Sequence, residues 1–152
     1  MRSGEILRIE TAEAMEDLGG RIGANLEGGC VIFLTGELGA GKTTLVRGLL
    51  ESLGHEDIVT SPTFTLLETY DVDGLQVVHV DLYRLEDASE LEQLAIRDYL
   101  HEKSVLLIEW ANRLRDALPD PDCEVHIATD VNDCRTVRIE KLTKRGERLC
   151  TA

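Results

Sequence analysis

Nine residues constrain this chain more than any others. An unbroken apolar run, Cys30 to Thr35, leads without a gap into Gly36-Glu37-Leu38-Gly39-Ala40-Gly41-Lys42-Thr43-Thr44. A segment that is apolar at every position suits a strand buried on both faces. Leu45, Val46, Leu49, Leu50 and Leu53 follow on one helical face, and Gly54 supplies a stop. Strand, glycine-rich loop and helix in this order satisfy the GxxxxGK[ST] pattern from Gly36 to Thr43. The glycines let the backbone curl so that several N–H groups face one anion. The N-terminus of the following helix adds its positive dipole end. Lys42 is expected to reach the β- and γ-phosphates of ATP, and the Thr43 hydroxyl to ligate Mg²⁺. Glu37, Leu38, Gly39, Ala40, Gly41 and Thr44 are expected to border the nucleotide. A dinucleotide loop is the competing reading, but Lys-Thr after the last glycine argues against it.

Such a loop needs a second Mg²⁺ anchor, an acidic residue at the end of a neighbouring strand. Two candidates qualify. Asp81 ends the apolar run Val77 to Val80, and Glu109 ends Val105 to Ile108. Ligands in open α/β sheets collect at the carboxyl ends of strands, so both can face the phosphates. A solvated carboxylate at a strand end is the plainer alternative for each.

Elsewhere the pattern is that of a compact α/β domain with a mixed sheet. Glu5 to Ile9 alternates like a short strand. Thr11 reads as an N-cap for a helix carrying Ala14, Leu18, Ile22 and Leu26. Leu75 to Asp81 returns after a hairpin turn at Asp73-Gly74. Asp87 or Ser89 caps a helix reaching Leu94, with another helical turn near Tyr99. A short helix containing Arg113 and Arg115 stops at Pro119. Glu124 to Ala128 and Thr136 to Glu140 read as two further strands. Residues 1–152 form one domain, and 141–152 read as a polar, frayed tail.

With 29 acidic and 16 basic residues the net charge is −13. Phosphate backbones are bound by clustered Lys and Arg, so direct nucleic-acid binding is disfavoured and any RNA is expected to be carried by a partner. No two of Cys30, Cys123, Cys134 and Cys150 form a CxxC pair, which favours reduced, packing cysteines. The charged first fourteen residues do not form a signal peptide, and no apolar run is long enough for a bilayer, so a cytoplasmic location is expected.

Four segments together resemble one family: GELGAGKTT at Gly36–Thr44, SPTFTL at Ser61–Leu66, HVDLYRL at His79–Leu85, and IEW at Ile108–Trp110. This set is similar to TsaE, a bacterial P-loop ATPase of tRNA threonylcarbamoyladenosine biosynthesis. The resemblance runs from Cys30 to Arg115. It implies a small P-loop NTPase fold with a mixed, mostly parallel sheet flanked by helices. It implies ATP and Mg²⁺ as cofactors and TsaB and TsaD as partners. It further implies that ATP hydrolysis resets the TsaB–TsaD complex between turnovers, while TsaD forms the modified adenosine beside the anticodon.

The resemblance also implies roles for individual residues. Ser61-Pro62-Thr63 resembles a switch that senses the γ-phosphate. Asp81 resembles a residue that orients water, and Glu109 the Mg²⁺-linked carboxylate. Thr11 and Arg135 occupy places where family members bring a residue close to the nucleotide, although a plain helix cap and a solvated strand-end cation are equally open to them. Asn112 departs from the glutamate common two residues after the tryptophan. His79 lies in an apolar strand and reads as a core or hydrogen-bonded histidine rather than a catalytic one. No arginine is fixed on the phosphates, Arg84 included, so slow hydrolysis with activation by a partner is expected. A small-molecule kinase and a nucleotide-gated assembly module without significant turnover are the alternatives.

Overall fold

The computed structural model describes residues 6–56, 58–59, 62, 66–130 and 132–149. Seven strands form one sheet in the order β1-β7-β6-β2-β5-β4-β3. They are β1 (Ile6–Ile9), β2 (Cys30–Thr35), β3 (Leu67–Val72), β4 (Leu75–Asp81), β5 (Ser104–Glu109), β6 (Cys123–Thr129) and β7 (Arg135–Lys141). The apolar run of β2 lies in the middle, parallel to β5 on one side and β6 on the other. Parallel pairing continues from β5 to β4, whereas β3, β7 and β1 all join antiparallel. The α/β fold expected from the sequence is present, but its sheet is evenly mixed rather than mostly parallel. The reason is local: β3–β4 and β6–β7 are each joined by a short connection, which permits only antiparallel pairing. The β3–β4 turn uses Asp73 at φ 49° and Gly74 at φ 78°, the two left-handed positions of a type I′ hairpin.

Helices α1 (Ala12–Ala24), α2 (Lys42–Ser52), α3 (Ala88–Leu94) and α4 (Lys144–Leu149) complete the domain, with 3₁₀ turns at Ile96–Tyr99 and Ala111–Ala117. Alternation along β2 builds two apolar layers. Ile32 and Leu34 join Val105, Leu107 and Val125 beneath α1 and α2. Val31 and Phe33 join Leu106, Ile108, Val78 and Val80 beneath Leu91 of α3 and Ile96. Cys30 and Cys123 are buried in the first layer, and burial pushes the Cys30 thiol far above its ordinary range.

Glycines bring α1 and α2 unusually close. A Cβ at Gly19 would lie 2.0 Å from the Leu45 carbonyl oxygen, and one at Gly48 would lie 2.0 Å from that of Glu16. This contact matters for the site, because it fixes the start of α1 against the start of α2. Gly19→Ala should therefore destabilise the protein by about 1–3 kcal/mol through overpacking. Gly20→Ala, one residue away, would meet its nearest neighbour at an ordinary 3.7 Å. Its helix propensity should raise stability by about 0.5–1 kcal/mol. Paired thermal melts test the contrast, and equal behaviour of the two variants would remove the close-packing account.

The expectation of a frayed tail is corrected over residues 141–149, and residues 150–152 of that tail lie outside the described residues. Leu149 is fully buried in the layer under α1 and α2, and Arg145 donates to the Gly29 carbonyl at 2.9 Å. One leucine and a close-packed glycine, Gly146, anchor this polar segment. Among the described residues no helix is long and apolar enough to cross a membrane.

Candidate nucleotide site

Chain direction brings the candidate residues together. Parallel β2, β4 and β5 end at the same edge, and α2 starts there. Gly36 leaves β2 at φ 154°, where a Cβ would clash at 2.7 Å with the Ile127 carbonyl of β6. Gly41 forms the N-cap of α2 in the left-handed region, at φ 117°. The loop between them therefore needs glycine at both ends, and it leaves the first N–H groups of α2 free for an anion.

Lys42 is the first residue of α2 and only 5% exposed. Its Nζ donates to the Gly36 carbonyl at 2.6 Å, lies 3.4 Å from Glu109 Oε1, and sits 4.2 Å above the Trp110 ring. A buried ammonium needs such partners, and an incoming phosphate could replace them. Asp81 and Glu109 are opposite one another in the β4–β5 register, and both are buried. Asp81 accepts the Tyr83 N–H at 2.9 Å, which fixes its carboxylate where the strand turns away. Trp110 follows Glu109 in the left-handed region at φ 60°, so β5 breaks sharply at the site.

Lys42, Thr43, Thr44, Leu38, Gly39, Gly41, Asp81 and Glu109 line one cleft of about 260 Å³. Both candidate carboxylates thus face the loop, and neither is a solvated strand end. Among the described residues no three His, Cys, Asp or Glu side chains form a metal cluster. A hydroxyl and two carboxylates beside the free N–H groups of a helix N-terminus nevertheless could hold Mg²⁺ together with a phosphate, since Mg²⁺ keeps several waters and takes phosphate oxygens as ligands.

A second cavity of about 170 Å³ lies on the α1 side of the loop. Thr11, Arg135, Gly39, Ala40, Gly41 and Thr44 line it together with Met15 and Asp133. Residues from the two ends of the chain therefore meet at the loop. Thr11 also caps α1, accepting the Ala14 N–H at 3.0 Å. Arg135 donates from Nε to the Ala40 carbonyl at 2.9 Å and from Nη2 to Gly39 at 3.4 Å, so it is a loop brace rather than a solvated cation. Glu37 instead faces a cavity of about 350 Å³ with Trp110 and Asn112. Of the expected switch, only Pro62 is among the described residues; Ser61 and Thr63 lie outside them.

Two further side chains reach the Lys42–Glu109 pair. Trp110 supports Lys42 through its ring face and packs on Tyr83 at 4.8 Å between ring centroids. His79 is completely buried and meets Glu109 Oε2 at 2.5 Å. Period-two alternation places His79 on the same face as Asp81, and that was the available clue.

The family model for "Threonylcarbamoyl adenosine biosynthesis protein TsaE" matches residues 9–137. Three relatives carry the name "tRNA threonylcarbamoyladenosine biosynthesis protein TsaE". The one from Haemophilus influenzae is 43% identical over 80% of this chain and 77% of its own length. The Bacillus subtilis protein is 40% identical over 80% and 76%, and the Streptomyces coelicolor protein 41% identical over 91% and 95%. The crystal structure of Bacillus subtilis YdiB superposes with a TM-score of 0.81 at 30% identity, covering 99% of this chain and 94% of that one. With its glycine loop, paired carboxylates and these matches over most of its length, this chain belongs to the TsaE family of threonylcarbamoyladenosine biosynthesis proteins.

Proposed function

We propose that this chain binds ATP with Mg²⁺ in the Lys42 cleft and hydrolyses it as part of the cytoplasmic assembly that forms threonylcarbamoyladenosine in tRNA. The convergence of Lys42, Thr43, Asp81 and Glu109 on one cleft at a helix N-terminus carries this reading. The α2 N–H groups and Lys42 hold the phosphates. Bound Mg²⁺ supplies charge neutralisation on the phosphate oxygens, with the Thr43 hydroxyl and Glu109 to hold it. Asp81, fixed by the Tyr83 N–H, orients the attacking water or a water in the metal's shell. Thr11, Glu37, Leu38, Gly39, Ala40, Thr44 and Arg135 border the nucleotide. The net charge of −13 supports contact with tRNA through partners of the TsaB and TsaD kind, whose complex hydrolysis resets between turnovers.

The test is Mg²⁺-dependent ATP hydrolysis by the purified chain, alone and with TsaB and TsaD from the same organism. Slow turnover alone, strong stimulation by the partners, and loss of roughly 100-fold or more on Glu109→Ala are expected. Phosphate transfer to a small acceptor without stimulation by the partners would replace this reading with a kinase.

A further inference from the structure

His79 is the one histidine that is completely buried, and nothing in phosphate binding by the loop requires it. Its surroundings explain its presence. On β4, Val77, His79 and Asp81 alternate onto one face; on β5, Val105, Leu107 and Glu109 do the same. Val77, Val105 and Leu107 belong to the apolar layer under α1 and α2, so the polar pair emerges directly above that layer. Glu109 is thus a buried carboxylate with two contacts, His79 Nε2 on Oε2 at 2.5 Å and Lys42 Nζ on Oε1 at 3.4 Å.

The two contacts differ in permanence. Lys42 lines the cleft at the start of α2, where an entering phosphate would compete for its ammonium. His79 is held within the sheet, between Val78 and Val80 along β4, and is completely buried. Its Nδ1 is buried without a hydrogen-bond partner among the described residues. A bare ring nitrogen is less costly as a lone pair than as an N–H, so the proton belongs on Nε2, facing Glu109.

We propose that His79 is a positioning residue for Glu109. By holding Oε2 from inside the sheet, it keeps Oε1 turned toward the cleft after Lys42 has moved to the phosphates, and so sets the Mg²⁺ dependence of nucleotide binding. Residues that hydrogen-bond a metal-ligating carboxylate commonly act in this way. The proposal rests on the Mg²⁺–ATP reading given above.

The test is calorimetric titration of non-hydrolysable ATP analogue into the full chain and its His79→Leu and His79→Gln variants, each with excess EDTA and across a Mg²⁺ series. In EDTA, His79→Leu should bind within about threefold of the parent, and the added affinity conferred by Mg²⁺ should fall roughly 10- to 100-fold. His79→Gln, whose amide N–H₂ can still donate to Glu109, should recover most of that increment. A merely structural role would lower binding equally with and without Mg²⁺, and that result would overturn the proposal. An unchanged Mg²⁺ increment in a folded His79→Leu or His79→Gln protein without the Glu109 hydrogen bond would overturn it too. If the parent binds no nucleotide under either condition, the Mg²⁺–ATP reading falls and takes this proposal with it. If His79→Leu does not fold, the Mg²⁺ increments of Glu109→Gln and of Glu109→Gln with His79→Asn, whose side chain is too short to reach residue 109, decide. Equal increments support coupling through Glu109, and a further loss in the double variant overturns it.

Discussion

Replacing Lys42 by alanine should lower ATP affinity by roughly 10- to 100-fold, the loss of one or more hydrogen bonds between charged groups in a buried setting. Turnover should drop further, by roughly 100- to 1,000-fold, because the same ammonium faces charge that builds up on the transferring phosphoryl group. The geometry makes the residue hard to replace. Lys42 is anchored at the first position of α2 and only 5% exposed, so no neighbouring lysine has a stem placed to reach the same point. The substitution should also affect the unliganded protein. Glu109 would keep His79 but lose the ammonium at 3.4 Å, and a buried carboxylate that loses its cation destabilises the fold. A lower melting temperature without ligand should therefore accompany weaker binding. Calorimetric titration with ATP and Mg²⁺ is the direct measurement. Affinity within threefold of the parent would show that the backbone amides suffice and that Lys42 is a structural residue.

Asp122→Ala should lower stability by about 3 kcal/mol, equivalent to roughly 6–12 °C in melting temperature for a chain of this size. Asp122 precedes β6 and ties three parts of the chain together. Its Oδ2 accepts the Val31 N–H of β2 at 2.9 Å, and its Oδ1 accepts the Thr143 hydroxyl at 2.7 Å. Arg145 of α4 lies 3.7 Å from the same carboxylate. Removing it leaves the Val31 N–H unpaired in the central strand and releases the segment that seats Leu149 in the core. Asp122→Asn keeps the size and part of the hydrogen bonding, so its loss should be smaller. Thermal unfolding of both variants is the check. An unshifted transition for the alanine variant would mean that α4 docks independently of Asp122. The effect should appear in stability and not in ATP affinity, which separates it from the Lys42 result.

Much of the site could be read in the chain itself. The Gly36–Thr43 loop was legible because its pattern is carried by consecutive residues. Backbone amides, lysine and hydroxyl converge by local geometry alone, whatever surrounds them. Asp81 and Glu109 were legible for a related reason, since each directly follows an apolar run and strand ends in α/β sheets are where ligands gather. The helix capped by Thr11, the Asp73-Gly74 turn and the β6–β7 pair also follow from short-range rules.

Other features depended on residues far apart in sequence. Short connections set the direction of the β3–β4 and β6–β7 pairs, but the antiparallel pairing of β1 with β7 and the place of β2 between β5 and β6 join segments far apart in sequence, so the even mix was not readable. The polar composition of residues 144–149 concealed a helix whose anchors are one leucine, buried in the layer under α1 and α2, and one glycine, packed on Asp122 just before β6. Thr11 and Arg135 stand at opposite ends of the chain and reach one cavity only because β1 pairs with β7 and α1 packs tightly on α2.

By itself, then, the sequence determined the glycine loop, the two strand-end carboxylates and the α/β class, since each is set by neighbours along the chain. Only the tertiary structure decided that Glu109 is clamped between Lys42 and a buried His79, and that Arg135 braces the loop. Those contacts join α2, β4, β5 and β7, and sheet order, not sequence spacing, brings such groups within hydrogen-bonding distance.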